Sequence, residues 1–215
     1  MSLAVVVPVR AFDLGKSRLA DWFSPTEREI LARAMAEIVV APRDDSGDDS
    51  GDDTDWFVVC DDARVAAWAE SRRATPILVS ASGLNAALVE ARPSILTNTA
   101  ATHVVISHAD LPLAGDLVAS VRDAIESSRP SSIVIAPDRR HDGTNVIAVP
   151  RDRFPEWEFC YGPDSFAAHR TVATRLGLDT FVLEDAGLAT DVDTVDDLVL
   201  VRDFITATLP HWSAS

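Results

Sequence analysis

A loop near the start of the chain carries three cations directly after a strongly apolar segment. Residues 5–9 read VVVPV, a β-branched run typical of a buried strand in a parallel sheet, and Arg10, Lys16 and Arg18 follow it. Loops at the carboxyl ends of strands form the binding crevice of open α/β sheets. In a chain of net charge −15, cations at that position indicate an anionic ligand such as a nucleoside triphosphate. The alternative is a solvated surface loop that happens to be basic.

A carboxylate, Asp110, follows the next strongly apolar segment, HVVIS at residues 103–107. If both apolar segments are central strands, Asp110 lies close to the basic loop. Mg²⁺ takes oxygen ligands and is usually shared with substrate phosphates, so a carboxylate there suits a magnesium site. The alternative is a turn or cap residue before Pro112, which is common.

Two further carboxylates, Asp191 and Asp193, are separated by a single residue near the end of the chain. In an extended segment such a pair projects to the same side and can share a cation. Asp193 is alternatively the N-cap of a helix that begins at Thr194. The joint placement of these carboxylates and Asp110 favours a metal site more than any one of them does.

Small and polar residues elsewhere suit an anion or a nucleoside. Gly162 precedes a proline that opens a predicted helix, whose free N–H groups and the Ser165 hydroxyl could hold a phosphate or carboxylate. His169 lies one helical turn beyond Ser165, on the same face. Thr144 adds a hydroxyl just before a predicted strand. In each case routine helix or turn packing is the alternative.

The segment Gly83-Leu84-Asn85 has two interpretations. In the first, Gly83 and Asn85 approach the base or ribose of a bound nucleotide; in the second, the segment only begins a helix. The common nucleotide motifs are absent. No GxGxxG follows a strand, and the first glycine of a Walker loop ending in Lys16 would fall on Arg10. The chain also lacks the GxSxG of an α/β-hydrolase. These absences leave a dinucleotide fold, a P-loop and a hydrolase elbow without support.

The elements that would position these residues alternate between strands and helices. Ser24 and Glu27 have the capping-box spacing of a helix start, and Pro42 ends the apolar helical pattern that follows. The alternation predicts an α/β domain spanning 1–215 with a mostly parallel sheet. We predict strands at 5–9, 56–60, 75–79, 104–106, 132–136, 145–149 and 180–183, and later helices at 62–72, 83–92, 116–128, 163–176 and 195–209.

Composition excludes several classes of protein. With 47% hydrophobic and 25% charged residues, the chain is typical of globular proteins. It has no apolar run long enough to span a membrane and no secretory signal pattern. Cys60 and Cys160 lie far apart in sequence, which predicts buried, reduced thiols in a cytoplasmic protein.

The excess of acidic residues argues against binding to nucleic acid, because a phosphate backbone would be repelled. Part of the excess lies in residues 43–55, which read RDDSGDDSGDDTD. This low-complexity segment has almost nothing to bury, so it is predicted to be a flexible acidic loop insertion rather than a metal site. It also lacks the spacing of an EF-hand.

Six short motifs, in order along the chain, resemble the guanylyltransferases of coenzyme F420 biosynthesis. That family belongs to the nucleotidyltransferases similar to molybdenum cofactor guanylyltransferase, which have a Rossmann-like fold of glycosyltransferase-A type. Position 10 is Arg where the family often has Lys, which keeps the charge but changes the donor geometry. The motifs are PVRAFDLGKSRL (8–19), GLNAAL (83–88), SHADLPL (107–113), DGTN (142–145), YGPDSFAAH (161–169) and DVDTVDDL (191–198).

The resemblance implies a reaction and a set of residue roles. The phosphate of a three-carbon phospho-acid attacks the α-phosphorus of GTP, and pyrophosphate leaves. Positioning and charge neutralisation supply most of the catalysis in such transfers. By resemblance, Lys16, Asp110 and Asp193 are catalytic. Asp110, Asp191 and Asp193 hold Mg²⁺; Arg10, Lys16 and Arg18 contact the triphosphate; Gly83 and Asn85 contact the nucleoside; Thr144, Gly162 and Ser165 bind the phospho-acid.

Several alternatives stay open at this level. The acid implied by resemblance is phosphoenolpyruvate or 2-phospho-L-lactate, with 3-phosphoglycerate as a further option. A related nucleotidyltransferase acting on a sugar phosphate or a molybdopterin usually has a Gly-rich first loop, and Gly15 alone does not make one. A non-catalytic nucleotide-binding module is expected to lose at least one metal carboxylate, and all three are present. No nucleic-acid or membrane partner is expected, and a homodimer is possible.

Overall fold

The computed structural model of the protein describes residues 1–40 and 54–212. Its centre is a seven-stranded sheet in the order β3-β2-β1-β4-β6-β5-β7. Only β6 runs antiparallel to its neighbours β4 and β5, which confirms the predicted mostly parallel α/β architecture within the described residues. The strands are β1 (Leu3–Pro8), β2 (Thr54–Cys60), β3 (Thr75–Leu78), β4 (His103–Ser107), β5 (Ser132–Pro137), β6 (Thr144–Pro150) and β7 (Asp179–Val182).

Strand β1 is an inner strand of the sheet, between β2 and β4, and is covered on both faces. Val5 and Val7 belong to the core on one side, and Ala4 and Val6 belong to the core on the other. Successive strand residues point to opposite faces, so only a continuous apolar run can fill both cores. This requirement explains why the first segment is apolar throughout instead of alternating with polar residues.

Helices pack on both faces of the sheet. The predicted capping box is confirmed: the Glu27 backbone N–H donates to Ser24 Oγ, and Glu27 Oε2 accepts from the Ser24 backbone N–H. The helices are α1 (Pro25–Val39), α2 (Ala63–Ser71), α3 (Leu84–Asn98), α4 (Leu117–Ser127), α5 (Ser165–Arg175), α6 (Val195–Leu198) and α7 (Arg202–Thr208).

Two predicted helix boundaries are wrong. Helix α3 runs through Pro93 to Asn98, because Ile95 is completely buried in the core and continues the buried face of Leu88. The predicted helix 195–209 is divided into α6 and α7 by a tight turn, in which the Leu200 N–H donates to the Asp197 carbonyl. Its apolar spacing persists across the turn, so the pattern alone does not reveal the break.

Most of the predicted acidic loop, residues 43–53, lies outside the described residues. Its last two positions, Thr54 and Asp55, begin β2 instead, and Thr54 pairs with Leu3 of β1. Cys60 is buried as predicted, whereas Cys160 is only partly buried. Within 1–40 and 54–212, no helix has the length and apolar character that crossing a membrane requires.

The topology directs several segments to one edge of the sheet. Strands β1 to β4 are parallel, so the loops after their carboxyl ends meet there. Because β6 is antiparallel to β4, it contributes its amino end to the same edge, and the His108 N–H donates to the Asn145 carbonyl over 2.9 Å. The first basic loop, the segment after β4 and the start of β6 therefore become neighbours.

Candidate active site

A cavity of about 600 Å³ opens at this edge of the sheet. This size is ordinary for a small-molecule site. Its walls come from the segments that follow β1 to β4, which lie far apart in sequence. The lining residues fall mainly in 8–17, 59–61, 79–84 and 108–110.

Lys16 connects the basic loop to the acidic residues. Its Nζ donates to Asp110 Oδ2 at 2.5 Å, to the Val192 carbonyl at 2.5 Å and to Asp193 Oδ1 at 3.2 Å. Only 8% of the Lys16 side chain is exposed, and its backbone is left-handed with φ of 55°. Lys16 thus connects the basic loop to two segments that lie 94 and 176 residues further along the chain.

The charges around Lys16 determine its protonation. Burial alone would lower the pKa of the Lys16 ammonium, but the carboxylates of Asp110 and Asp193 outweigh burial, and the pKa is raised. Burial would likewise raise the pKa of Asp110, yet the positive charge of Lys16 keeps it lowered. The pair is therefore an ammonium and a carboxylate at neutral pH.

The other two predicted triphosphate contacts lie further out. Arg10 is exposed and lines the cavity at its rim. Arg18 is 74% exposed in its side chain and lies 3.7 Å from Asp193 Oδ2. Lys16 is thus the inner cation of the basic loop, and the two arginines provide positive charge near the entrance.

Asp193 presents its carboxylate to Lys16 and does not cap a helix. The N-cap of α6 is Thr194, and Asp197 completes the capping box. The interpretation of Asp193 as the N-cap is therefore wrong. Asp193 contributes only its backbone N–H to this cap, donating to Asp197 Oδ2 over 3.0 Å, so its half-exposed carboxylate is left for other contacts.

Asp191 lies on the inner side of the same segment. Burial raises the pKa of Asp191, and the charges of Asp110 and Asp193 add to the effect. Asn145 Nδ2 donates to Asp191 Oδ1 over 3.4 Å and to the Leu188 carbonyl over 3.0 Å. Among the described residues, no group of three or more His, Cys, Asp or Glu side chains has the arrangement of a metal site. Asp110 and Asp193 are thus bonded to the Lys16 ammonium, whereas Asp191 is bonded to Asn145.

The two predicted nucleoside residues differ in placement. Gly83 lines the cavity and has φ of 90°, a conformation that strains any residue with a Cβ. Asn85 is not among the lining residues and is hydrogen-bonded to the backbone of Tyr161 instead. Its Nδ2 donates to the Tyr161 carbonyl, and its Oδ1 accepts from the Tyr161 N–H, both over 2.9 Å. In this structure Asn85 holds a neighbouring segment in place.

The predicted phospho-acid residues lie outside the cavity lining, and one of them, Thr144, contacts a buried histidine, His169. Thr144 and Ser165 are 1% and 2% exposed, whereas Gly162 is exposed. The Cys160 N–H donates to His169 Nε2 over 3.0 Å, and His169 Nδ1 lies 3.0 Å from Thr144 Oγ1. Since a backbone N–H can only donate, Nε2 is the acceptor, and the proton of the neutral ring is on Nδ1. That proton is donated to Thr144, so the proton of the Thr144 hydroxyl points elsewhere.

His169 predicts a pH dependence of stability. Burial, assisted by the charge of His108, lowers the pKa of His169 to about 4. Because the unfolded chain binds the proton more readily, folding is favoured above the ordinary histidine pKa and loses stability as pH falls from there towards 4. We expect this residue to cost roughly 2 kcal/mol of unfolding free energy between pH 7 and pH 5.

Urea denaturation of the wild type and His169→Gln at both pH values measures this effect. The wild type should lose more stability than the variant, whose glutamine does not titrate. Equal losses in the two proteins would show that His169 is not held neutral by the fold.

Two residues of the site are missed by sequence reasoning. His108 lines the cavity with its Nδ1 at 4.0 Å from Asp110 Oδ1, and Tyr161 packs its ring against that of His108 at 5.3 Å between centroids. His108 lies in the SHADLPL motif and Tyr161 in the YGPDSFAAH motif. Their closeness in sequence to the assigned residues was the signal that could have identified them. Their side-chain environments depend on packing between distant segments.

Comparison with known proteins gives matches over most of the chain. A family model described as "Guanylyl transferase CofC like" matches residues 3–202. A phosphoenolpyruvate guanylyltransferase of Chloroflexus aggregans is 33% identical over 211 residues, covering 97% of this chain and 99% of that protein. A 2-phospho-L-lactate guanylyltransferase of Methanoregula boonei is 35% identical over 186 residues, covering 86% and 75%.

Solved structures show the same fold. A putative nucleotide-diphospho-sugar transferase from Desulfovibrio desulfuricans superposes with a TM-score of 0.70 at 18% identity, covering 99% of this chain and 92% of that one. A CMP:2-keto-3-deoxy-manno-octonic acid synthetase complexed with CTP gives a TM-score of 0.61 at 14% identity, covering 97% and 100%. At these identities the likeness concerns the fold alone.

Proposed function

The chain belongs to the CofC-like guanylyltransferase family and is a nucleotidyltransferase, and from this premise we propose that it joins the guanylyl group of GTP to phosphoenolpyruvate with release of pyrophosphate. The observation that carries the proposal is Lys16, an ammonium between Asp110 and Asp193 beside the cavity. Relatives named as guanylyltransferases support GTP as donor. The fold is of the Rossmann-like glycosyltransferase-A type in this proposal.

The proposed reaction needs no covalent intermediate with the protein. A phosphate oxygen of the acceptor forms a bond to the α-phosphorus of GTP, and the bond from that phosphorus to the bridging oxygen of the β-phosphate breaks. The electron pair leaves with pyrophosphate. Catalysis then consists of placing two anions together and neutralising the charge that moves to the leaving group.

The basic loop neutralises the triphosphate in this mechanism. Lys16 contributes a nearly buried positive charge. Its interaction with the phosphates is strong because water screens buried charges only weakly. Arg10 at the cavity rim and Arg18 beside Asp193 attract the nucleotide from solvent. Gly83 allows the nucleoside to approach the backbone, and Asn85 positions the adjoining segment.

The acidic residues fit a magnesium ion. Carboxylate oxygens are its preferred protein ligands, and Asp110 Oδ1 is buried with no hydrogen-bond partner among the described residues. Burial raises the pKa of Asp191, and the negative charges of Asp110 and Asp193 raise it further; a divalent cation would offset that repulsion. Asp110, Asp191 and Asp193 would hold the ion once Lys16 turns to the phosphates. Mg²⁺ would supply charge neutralisation for the triphosphate.

Phosphoenolpyruvate is the proposed acceptor because relatives that match nearly the whole chain carry that substrate in their names. Thr144, Gly162 and Ser165 would lie around it, and 2-phospho-L-lactate is the acceptor named for a relative that covers less of the chain. The two acids differ at the carbon that bears the phosphate.

Mass-resolved assays with GTP, Mg²⁺ and one acid at a time test the function. The acids are phosphoenolpyruvate, 2-phospho-L-lactate and 3-phosphoglycerate, and ATP replaces GTP in a parallel series. We expect a guanylylated phosphoenolpyruvate with equimolar pyrophosphate. A folded protein that releases pyrophosphate with none of the acids would overturn the proposal, and preferred turnover of another acid would correct the acceptor.

A further inference from the structure

Four buried polar atoms outside the arginines have no hydrogen-bond partner among the described residues. They are His108 Nε2, Asp110 Oδ1, Trp157 Nε1 and Tyr161 Oη. Native proteins rarely leave buried polar groups unpaired, because each loses its hydration without compensation. Asp110 Oδ1 is explained by the proposed metal ion, but the other three atoms are not.

These three atoms belong to one continuous cluster of rings. The centroids of His108 and Tyr161 are 5.3 Å apart, those of Tyr161 and His169 are 4.8 Å apart, and those of His169 and Trp157 are 5.9 Å apart. We call these four side chains the aromatic cluster. One end of it, His108, lines the cavity next to Asp110, and the other end is deep in the core. The unpaired atoms are therefore not scattered defects.

The cluster offers mainly hydrogen-bond donors. A phenol and an indole N–H both donate, and the imidazole of His108 donates from Nε2 when its proton is there. The hydroxyl proton of Thr144 is also directed away from His169, as the hydrogen bond from Cys160 requires. Unpaired donors are complementary to an acceptor with several lone pairs, such as a carboxylate.

Tyr161 is held so that its ring has little freedom. Asn85 bonds both its backbone N–H and its carbonyl, and its ring lies between those of His108 and His169. Burial raises the pKa of the Tyr161 phenol, so it stays protonated and remains a donor. A rigid donor of this kind loses little entropy when a ligand binds.

We propose that His108 and Tyr161 bind the carboxylate of the phospho-acid acceptor. This inference rests on the proposed function, in which the acceptor phosphate lies near Asp110. In phosphoenolpyruvate the carboxylate and the phosphate are attached to the same carbon, so the two groups lie within a few bonds. His108 adjoins Asp110 in space, with 4.0 Å between Nδ1 and Oδ1, and is therefore placed to contact the second anionic group while the first is at the reaction centre.

The Tyr161→Phe variant removes only the hydroxyl and tests the inference in two ways. Loss of a hydrogen bond to a charged group should raise the KM for the acid about 10-fold or more, with the KM for GTP unchanged. Removing an unpaired buried hydroxyl should also raise Tm by about 2–4 °C. An unchanged KM for the acid would overturn the inference, and so would a lowered Tm, because the hydroxyl would then have a structural partner such as a buried water.

A matched pair at His108 separates donor loss from ring loss. Glutamine carries an amide that reaches the position of Nε2, whereas leucine has no donor. His108→Leu should raise the KM for the acid by at least as much as Tyr161→Phe, and His108→Gln should recover most of the difference. Equal KM values in the two His108 variants would show that His108 does not act as a donor.

The chain contains a single tyrosine, which permits a direct measurement. In protein labelled with ¹³C at the tyrosine ring carbon that bears oxygen, the one resonance should shift on adding phosphoenolpyruvate without nucleotide. GTP alone should leave it in place. No shift at saturating acid in an enzyme that still forms product would overturn this inference while leaving the proposed function intact; absence of product with every acid would overturn the function itself.

Discussion

Replacing Lys16 with methionine is expected to lower kcat/KM for GTP by roughly 10³-fold, which is typical when one preorganised electrostatic contact is lost. The side chain is nearly buried and is hydrogen-bonded to both Asp110 and Asp193. Methionine has a similar volume but no charge, so the triphosphate loses its inner cation. Asp110 and Asp193 also lose the positive charge that lies between them.

The same variant should be less stable. Removing one partner of a buried ion pair typically costs about 3–5 kcal/mol, because the remaining charge is left without compensation. Without the charge of Lys16, burial favours the protonated form of Asp110, which reduces that loss. Urea denaturation and steady-state kinetics on the same preparation measure both effects.

Arg18→Met is the matched control for Lys16→Met. Arg18 belongs to the same loop and also lies near Asp193, but its side chain is 74% exposed. Exposed ion pairs contribute little, so this variant should change kcat/KM and stability only slightly. If Lys16→Met and Arg18→Met behaved alike, the site would depend on the general charge of the loop and the assigned role of Lys16 would be wrong.

The second large effect is expected from Asp193→Ala, which should abolish measurable turnover while the fold stays intact. The carboxylate of Asp193 is half exposed and makes its contacts with Lys16 and Arg18. The cap of α6 is provided by Thr194 and Asp197, so truncation at Asp193 leaves that helix start unchanged. Loss of a proposed magnesium ligand and of the Lys16 contact would both act on the triphosphate.

Asp196→Ala controls for the loss of one negative charge near α6. Asp196 is exposed and lies three residues further on. Its negative charge interacts favourably with the positive end of the helix dipole. We expect this variant to retain near wild-type turnover. If Asp193→Ala also retained it, with pyrophosphate release as the assay, Asp193 would not be part of the metal site.

Binding of Mn²⁺, measured by paramagnetic resonance in the presence of a non-hydrolysable GTP analogue, checks the same assignment without turnover. The wild type and Asp196→Ala should bind the ion alike, and Asp193→Ala should bind it more weakly. Equal binding by all three proteins would move the metal away from Asp193.

Local patterns in the sequence were sufficient for most of the architecture. The β-branched run of β1 indicates a strand covered on both faces, and the spacing of Ser24 and Glu27 indicates the start of α1, because both depend on neighbours in the chain. The same reasoning failed at Pro93, where packing of Ile95 extends α3 beyond a residue that normally ends helices.

The chemical character of the site was also visible in the sequence. The cations of the first loop and the three aspartates stand after predicted strands, and in a parallel sheet the carboxyl ends of strands meet at one edge. With both strands central, Asp110 is predicted to lie close to the basic loop, and β1 and β4 are indeed neighbours, with Lys16 and Asp110 paired at 2.5 Å. The motifs in order along the chain supplied the family.

Only the tertiary structure decided what each polar group is paired with. Asn85, predicted for the nucleoside, is bonded to the backbone of Tyr161, and His169 reaches Thr144 and Cys160 across the core. A side chain's partners are set by segments that approach from distant parts of the chain, and its free donors are known only once those partners are placed. For that reason the sequence determined which residues could do chemistry. Only the fold determined which polar atoms, including His108 Nε2 and Tyr161 Oη, are left without a hydrogen-bond partner among the described residues.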